Sequence, residues 1–378
     1  MPKVLRAAAL ASAAILALTG TGPASAALTS AKLFVTGASQ ALGGTGGLEI
    51  KFETAPTDND IAKVTLYVPT GYQLATTQSP GTRLGTASAR ILARDLSAAL
   101  PVTGELVVAN PTDHAATGVL CTGTPMHSAI WALEFTAAGA RLTVPVFVDA
   151  ETTPLTSFAV ATIVICLPPS DVPPGTPGRA PLGAKVLSAE FSTSALVNPR
   201  AHGEYRWRAT LTGYGTATGS PDPATTVEVQ SLVELPTQLT LRARPARSAK
   251  RGLAVVSYAG SLRANENAVP DASVDVLKGA TAQSGRKLRT QTTDDNGAFV
   301  GTFSQQKRAR PGVVFLVARA TLEGRDLDAA ACTASFLPPA SPFPIPCINA
   351  TVGGFTVSSR TVRVTVPALP KPKAKKKR

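Results

Sequence analysis

Apolar and polar residues alternate over short stretches along most of the chain, which is typical of strands with one buried and one exposed face. In residues 48–52, three apolar side chains alternate with Glu49 and Lys51, and residues 64–68 repeat the pattern. Glycine and proline, 31 of each, are scattered between these stretches and supply turns. The pattern predicts an all-β protein built from two β-sandwich domains.

The predicted strands fall into two series separated near Leu235 and Pro236. The first series comprises residues 32–36, 48–52, 64–68, 104–108, 130–135, 142–148, 158–166, 185–191, 205–211 and 226–232. The second comprises residues 238–242, 253–258, 273–277, 287–292, 298–303, 313–319, 348–352 and 361–366. The alanine-rich residues 87–96 fit either a short helix or a strand. We therefore expect one domain over 27–235 and a second over 236–368.

The N-terminus has the three parts of a secretory signal peptide. Lys3 and Arg6 precede an apolar stretch at 7–18, and Ala24 and Ala26 lie at the two small positions that signal peptidase recognises. The stretch is shorter than the roughly 20 residues that a membrane-spanning helix needs. We expect residues 1–26 to be removed and the mature chain to be secreted or held at the cell surface, without a transmembrane segment.

The chain contains four cysteines, Cys121, Cys166, Cys332 and Cys347. An even number in an exported chain predicts disulfide bonds, and three pairings are possible. We favour Cys121–Cys166 with Cys332–Cys347, because this pairing places one bridge in each half.

Charge is distributed unevenly within the formal net charge of +13. Residues 27–235 carry 12 basic and 16 acidic side chains, whereas residues 236–368 carry 17 basic and 8 acidic ones. Residues 371–378 add six positive charges, and we expect 369–378 to form a disordered tail. A positive field of this kind attracts polyanions and is screened by salt.

The basic C-terminal half therefore supplies candidate polyanion contacts. These candidates are Arg242, Arg244, Arg247, Lys250, Arg251, Lys371, Lys373, Lys375, Lys376, Lys377 and Arg378. Aromatic residues are not interleaved with them, so the base-stacking part of specific nucleic-acid recognition is missing. An anionic polymer of the cell envelope, or another surface protein, is the expected partner.

Part of the second series is similar to known families. Gly260-Ser261-Leu262, Pro270, Val274 with Val276, and the run from Thr292 to Phe299 resemble bacterial immunoglobulin-like and carboxypeptidase-regulatory-like (transthyretin-type) domains. The resemblance covers 250–320. It implies an immunoglobulin-like second sandwich that acts as a spacer, stalk or binding module. Asn296-Gly297 predicts a type I′ hairpin turn there, with Asp294 bonding nearby amides.

Candidate catalytic groups are few. A nucleophile formed by Cys121 and His127 would need a free thiolate, whereas export favours a disulfide. Carboxylates are expected in turns or on exposed strand faces, as for Glu49 and Glu228. Trp131 and Trp207 are expected in the core. The sequence thus predicts no catalytic residues, no metal site and no cofactor.

We interpret the chain as a secreted or cell-envelope-associated, non-enzymatic binding or structural protein. One alternative is an extracellular hydrolase with its site in residues 27–235, which an open cleft lined by two acids or by an Asp–His pair would favour. The other is a polyanion-binding protein that uses residues 236–378, which a contiguous basic face would favour.

Overall fold

The computed structural model describes residues 28–45, 47–137, 140–151, 158–246, 248, 252–279, 285–306, 310–333 and 345–368. The protein is all-β, as predicted, and its strands form sandwich-like domains around separate hydrophobic cores. One large core uses side chains between Leu28 and Leu235, and another uses side chains between Leu239 and Val366. The domain limits at 26, 235 and 368 stay predictions, and the signal peptide and the basic tail lie outside the described residues.

The strands are numbered in chain order. Those before Pro236 are β1 Lys32–Gly37, β2 Leu48–Glu53, β3 Ile61–Pro69, β4 Gln73–Leu74, β5 Arg83–Ala93, β6 Ala98–Val108, β7 Ala129–Ala137, β8 Ala140–Ala150, β9 Ala159–Cys166, β10 Ala184–Thr193, β11 Leu196–Val197, β12 Gly203–Tyr214 and β13 Pro221–Leu235. Those after it are β14 Thr237–Ala246, β15 Leu253–Ala264, β16 Asn267–Ala268, β17 Ser273–Gly279, β18 Arg286–Thr292, β19 Ala298–Gln306, β20 Gly312–Leu322, β21 Arg325–Asp326, β22 Cys347–Val352, β23 Phe355–Ser358 and β24 Val362–Val366. Helix α1 is Ala115–Thr122, and short 3-10 turns occur at Arg94–Leu96, Pro111–His114, Pro181–Gly183 and Ala329–Ala331.

The first core is enclosed by a 13-stranded sheet in the order β1-β2-β10-β5-β6-β7-β8-β9-β3-β12-β13-β22-β21. The sheet curls so that β1 returns against β13 and β22. The Val35 amide donates to Ser231 Oγ at 3.0 Å, and the Thr351 hydroxyl donates to the Leu33 carbonyl. Hydroxyl side chains therefore satisfy the edge of β1 where strand pairing ends.

The second core lies between two smaller sheets. One contains β14, β15, β16 and β19, and the other contains β17, β18, β20, β23 and β24. Val256 of the first sheet and Val274 and Leu316 of the second are fully buried between them. Alternate residues of each strand therefore face the core, which is the period-2 pattern seen in the sequence.

The expectation that residues 348–352 complete the second series is wrong. β22 pairs in parallel with β13, with Ala350 opposite Gln230, and antiparallel with β21. The chain thus returns to the first sheet after the second core has begun. Burial explains the choice, because Ala350 and Thr351 are at most 1% exposed and fill the space beside β1.

The predicted type I′ hairpin at Asn296-Gly297 is also wrong. That turn needs positive φ at both central residues, and here Gly297 has φ +70° while Asn296 is not in that region. The strands on either side belong to different sheets, since β18 pairs with β17 and β19 pairs with β15. The role expected for Asp294 is confirmed, because its Oδ1 accepts from the amides of Asn296 and Ala298, each at 2.9 Å.

The structure decides between the alternatives left open for the alanine-rich stretch and for the disulfide pairing. The stretch at 87–96, which fitted a helix or a strand, is a strand to Ala93 followed by the turn Arg94–Leu96. Both disulfides have the predicted pairing, Cys121–Cys166 and Cys332–Cys347. No helix in the described parts of the chain is long and apolar enough to cross a membrane.

Candidate functional site

Two of the predicted basic residues lie on the outward side of the sheet formed by β14, β15 and β19. Arg242 and Arg244 alternate along β14 with the inward Leu241, so both guanidinium groups are exposed on the same face. Their cross-strand neighbours on β15 are small: Ala259 is opposite Arg242, and Ser257 is opposite Arg244. Because the side chains of these neighbours are short, the two arginine side chains extend beyond them into solvent.

A third arginine joins them across the edge of the sandwich. Arg289 of β18 lines the same open cleft of about 620 Å³ as Arg242 and Arg244. The Tyr258 hydroxyl lies at the floor of this cleft and contacts the Gln291 side chain at 3.1 Å. A side chain at Gly301 would overlap that hydroxyl, so glycine keeps the floor open. We call Arg242, Arg244 and Arg289 the arginine face.

The sheet that carries Arg242 and Arg244 presents no described carboxylate on its long strands. None of the described residues of β14, β15 and β19 is Asp or Glu, whereas Arg263 adds a further exposed cation on β15. The opposite sheet differs, because there Asp275 binds Lys287 at 2.8 Å. Hydrogen bonds from Lys287 and Thr290 hold the pKa of Asp275 below its usual value. The charge of Lys287 is thus compensated locally, whereas Arg242 and Arg244 have no described carboxylate on the strands of their own sheet.

The remaining predicted contacts, Arg247, Lys250, Arg251 and residues 371–378, lie outside the described residues. Sequence reasoning missed Arg289, because it sought linear runs of basic residues and Arg289 arrives from the other sheet. The alternation of inward and outward residues along β15 would have predicted Arg263, which lies on the same outward side of the sheet as Arg242 and Arg244.

The described structure also contains an Asp–His pair, the arrangement that would favour a hydrolase. His127 Nδ1 lies 2.8 Å from Asp149 Oδ2, but the imidazole side chain is 0% exposed and packs on Phe147. Its Nε2 lies 3.1 Å from the Thr124 carbonyl and 3.2 Å from the Thr122 hydroxyl. The ring therefore fastens the loop after α1 to β8 and offers no free nitrogen to a substrate.

The Cys121–His127 nucleophile is excluded, because Cys121 is bonded to Cys166. Trp131 and Trp207 are confirmed as core residues, each 0% exposed.

Glu228 is not on an exposed face as predicted. Its side chain is 0% exposed, and its Oε1 accepts from Arg208 Nη1 at 2.5 Å. Part of the cover comes from Thr333, directly after Cys332 of the second disulfide, whose Oγ1 accepts from Arg208 Nη2 at 2.8 Å. Alternation on β13 correctly predicts a polar outer face, but not that a later segment covers it.

Four acids share an open groove, Glu49, Glu53, Glu190 and Glu323. Glu49 and Glu190 line a cleft of about 510 Å³ on the outer face of β2 and β10. Partial burial, the charge of Glu190 and a hydrogen bond between the two side chains raise the pKa of Glu49. Glycosidases hold their two carboxyl groups roughly 5–9.5 Å apart, with the scissile bond between them. The mutual hydrogen bond of Glu49 and Glu190 does not match that spacing, and Glu53 in the same groove is paired with Lys51 at 2.6 Å.

Comparison with known proteins gives structural neighbours of low similarity. No protein-family model and no curated protein matches the chain. Domains D2 and D3 of the major pilin SpaD from Corynebacterium diphtheriae share 10% identity over 76% of this chain and 81% of theirs, with a TM-score of 0.24. The full-length SpaD pilin shares 11% identity over 86% of this chain and 67% of its own, with a TM-score of 0.23. At these scores the neighbours assign neither family nor function.

Proposed function

We propose that the chain is an exported, non-enzymatic binding protein that attaches to an anionic polymer of the cell envelope through its arginine face. The observation that carries the proposal is the convergence of Arg242, Arg244 and Arg289 on one open cleft, beside three strands without a described carboxylate. The basic tail at 371–378, which stays a prediction, would add attraction at longer range.

The geometry suits a chain of regularly spaced anions. Strand residues two apart are separated by about 7 Å, so Arg242 and Arg244 present two cations at that spacing on one face. Guanidinium groups bind phosphate oxygens through paired hydrogen bonds. The exposed hydroxyl of Thr302 lies in the same cleft and supplies a further donor. A phosphodiester polymer with a flexible polyol backbone fits these features.

Nucleic acid fits less well. Sequence-independent single-strand binding combines cations with aromatic rings on which bases stack. The aromatic ring in this cleft, Tyr258, is only 3% exposed and belongs to the core. The outward neighbours Ser257, Ala259 and Val300 offer no stacking surface.

Two disulfides support an extracytoplasmic location. Structural disulfides persist in oxidising compartments and are rare in the cytosol. Both bridges are formed here, one on each side of Pro236. The signal peptide at 1–26 supplies the predicted export route.

The test compares two variants of equal charge. Arg242→Gln with Arg244→Gln should lose most binding to immobilised poly(glycerol phosphate), because two phosphate contacts disappear. Arg319→Gln with Arg363→Gln removes two exposed arginines from the other sheet and serves as the matched control. An equal loss of binding affinity in both variants would show that binding depends on net charge and not on the arginine face. Stronger binding to single-stranded DNA than to poly(glycerol phosphate) would favour nucleic acid instead.

A further inference from the structure

A separate cleft lies on the outer face of the first sheet, over the strands β9, β3, β12 and β13. Its volume is about 740 Å³, which is within the range of small-molecule pockets. We call it the outer cleft. It shares no residue with the arginine face, so a ligand there would bind independently of the polymer in the proposed function.

The floor of the outer cleft consists largely of hydroxyl groups. Thr65 of β3 lies between Val164 of β9 and Thr210 of β12, and Tyr67 lies opposite Thr162. Further along, the hydroxyls of Thr212 and Thr226 lie 2.9 Å apart. Burial raises the pKa of Tyr67, so its phenol stays protonated at neutral pH. Each hydroxyl can both donate and accept a hydrogen bond.

Each wall of the outer cleft is anchored by a disulfide. On one side, the Cys121–Cys166 bridge joins α1 to the end of β9. On the other side, Ile345 lines the cleft two residues before Cys347, which is bonded to Cys332. The walls are therefore tied covalently to a hydrogen-bonded floor, and a ligand would meet a largely preformed site.

The charged groups at this cleft already have partners. Lys63 Nζ donates to the Cys121 carbonyl at 3.2 Å, and burial lowers the pKa of its ammonium. Asp149 is bound to His127. The two charged side chains at the cleft thus bond to groups of the protein itself, while Leu120 at the rim is 89% exposed and presents an apolar surface.

We infer that the outer cleft binds a neutral oligosaccharide. Sugars combine hydroxyls, which match the threonine floor, with C–H surfaces, which match Leu120 and the rim prolines Pro221 and Pro223. An extended peptide takes much of its affinity from unpaired strand edges. The floor lies at the centre of a sheet, where β3 and β12 are paired on both sides. A sugar is therefore favoured over a peptide.

The test measures binding of maltotetraose, cellotetraose and the β-1,4-linked tetramer of N-acetylglucosamine to the full chain by calorimetry. At least one should bind with an affinity that changes little with salt, unlike binding at the arginine face. Thr65→Val and Thr212→Val keep the side-chain shape and remove one hydroxyl each. Each should weaken binding roughly 3- to 10-fold. Thr143→Val, on an exposed position of β8 outside the cleft, is the control and should bind as the wild type does.

Three results would overturn the inference. The first is no heat of binding with any of the three sugars at millimolar concentration. The second is sugar binding that Thr65→Val and Thr212→Val leave unchanged, with folding verified by circular dichroism, because the site would then lie elsewhere. The third is binding of a random peptide pool, weakened by those variants, without binding of a sugar, which would assign the cleft to a peptide.

Discussion

The buried Lys185 and Asp60 have compensating partners. Lys185 is 2% exposed, and its ammonium donates to the Pro56 carbonyl at 3.0 Å and to the Asp58 carbonyl. Asp60 lies 3.7 Å away and also binds Arg94 at 2.7 Å. Burial lowers the pKa of Lys185, and the charge of Asp60 partly offsets that effect. These groups hold the loop before β3 against the start of β10.

The raised pKa of Glu49 predicts that the stability of the folded protein depends on pH. Its pKa in the folded protein is raised above its ordinary value of 4.5, so the folded state binds a proton more tightly than the unfolded state. Stability attributable to this group is therefore present at low pH and is lost as pH rises through the folded pKa. Glu49→Gln cannot titrate and should become progressively more stable than the wild type in that window.

The measurement is the free energy of unfolding in urea from about pH 4 to about pH 7 for both proteins. Glu105→Gln, at an exposed glutamate paired with Arg83, is the control. A difference between Glu49→Gln and wild type that stays constant across the range would contradict the interpretation.

The alternation of apolar and polar residues within single strands determines which side chains could be predicted as buried or exposed. Trp131 and Trp207 occupy apolar positions of alternating strands, and both are in the core. Glu228 has the polar position that alternation assigns, yet it is buried, and its partners Arg208 and Gln230 both bond to Thr333. Thr333 lies about one hundred positions later in the chain, and strand periodicity carries no information about such a contact.

At the scale of elements, strands were predictable and α1 was not. Strands such as β2 and β3 repeat buried apolar residues with period 2, whereas α1 has only eight residues and one buried position, Gly118. An isolated helix of that length is unstable in water. Its support is tertiary, from the Cys121–Cys166 bridge and the His127–Asp149 contact. Two of the three residues of the arginine face were predicted from the sequence, and Arg289 was not, since it reaches the face from another sheet.

The two disulfides should differ in their contribution to stability. Cys121–Cys166 spans 45 residues and Cys332–Cys347 spans 15. In the chain-entropy model, removing the first bridge by Cys121→Ser with Cys166→Ser should cost about 4 kcal/mol, and removing the second about 3 kcal/mol. The free energy of unfolding in urea, measured for both double variants and the wild type, shows which bridge contributes more. A larger loss from the shorter loop would contradict this account.

The whole molecule is not a simple sequence of two independent units. The second core is built from residues after Pro236, but β21 and β22 belong to the first sheet. Thr351 of β22 bonds both Leu33 and Ser231, so it joins β1 to β13. The first sheet thus includes a segment that the linear order of strands assigned to the second domain.

A fragment of residues 27–235 tests this connection. It lacks β21 and β22, which would expose the edge of β13, so it should melt at a lower temperature than residues 27–368 and aggregate more readily. Removing 369–378 alone should leave the melting temperature unchanged, which makes 27–368 the proper reference. Equal melting temperatures for 27–235 and 27–368 would show that β22 contributes nothing to the first core.

The salt dependence of polymer binding tests the central claim most directly. The logarithm of the binding constant for poly(glycerol phosphate) should fall linearly with the logarithm of salt concentration, with a slope set by the number of phosphate contacts. Arg242→Gln with Arg244→Gln should reduce the magnitude of that slope by roughly 1.5 to 2, and Arg319→Gln with Arg363→Gln should leave it unchanged. The same slope for wild type and both variants would contradict the assignment of the arginine face as the polymer-binding surface.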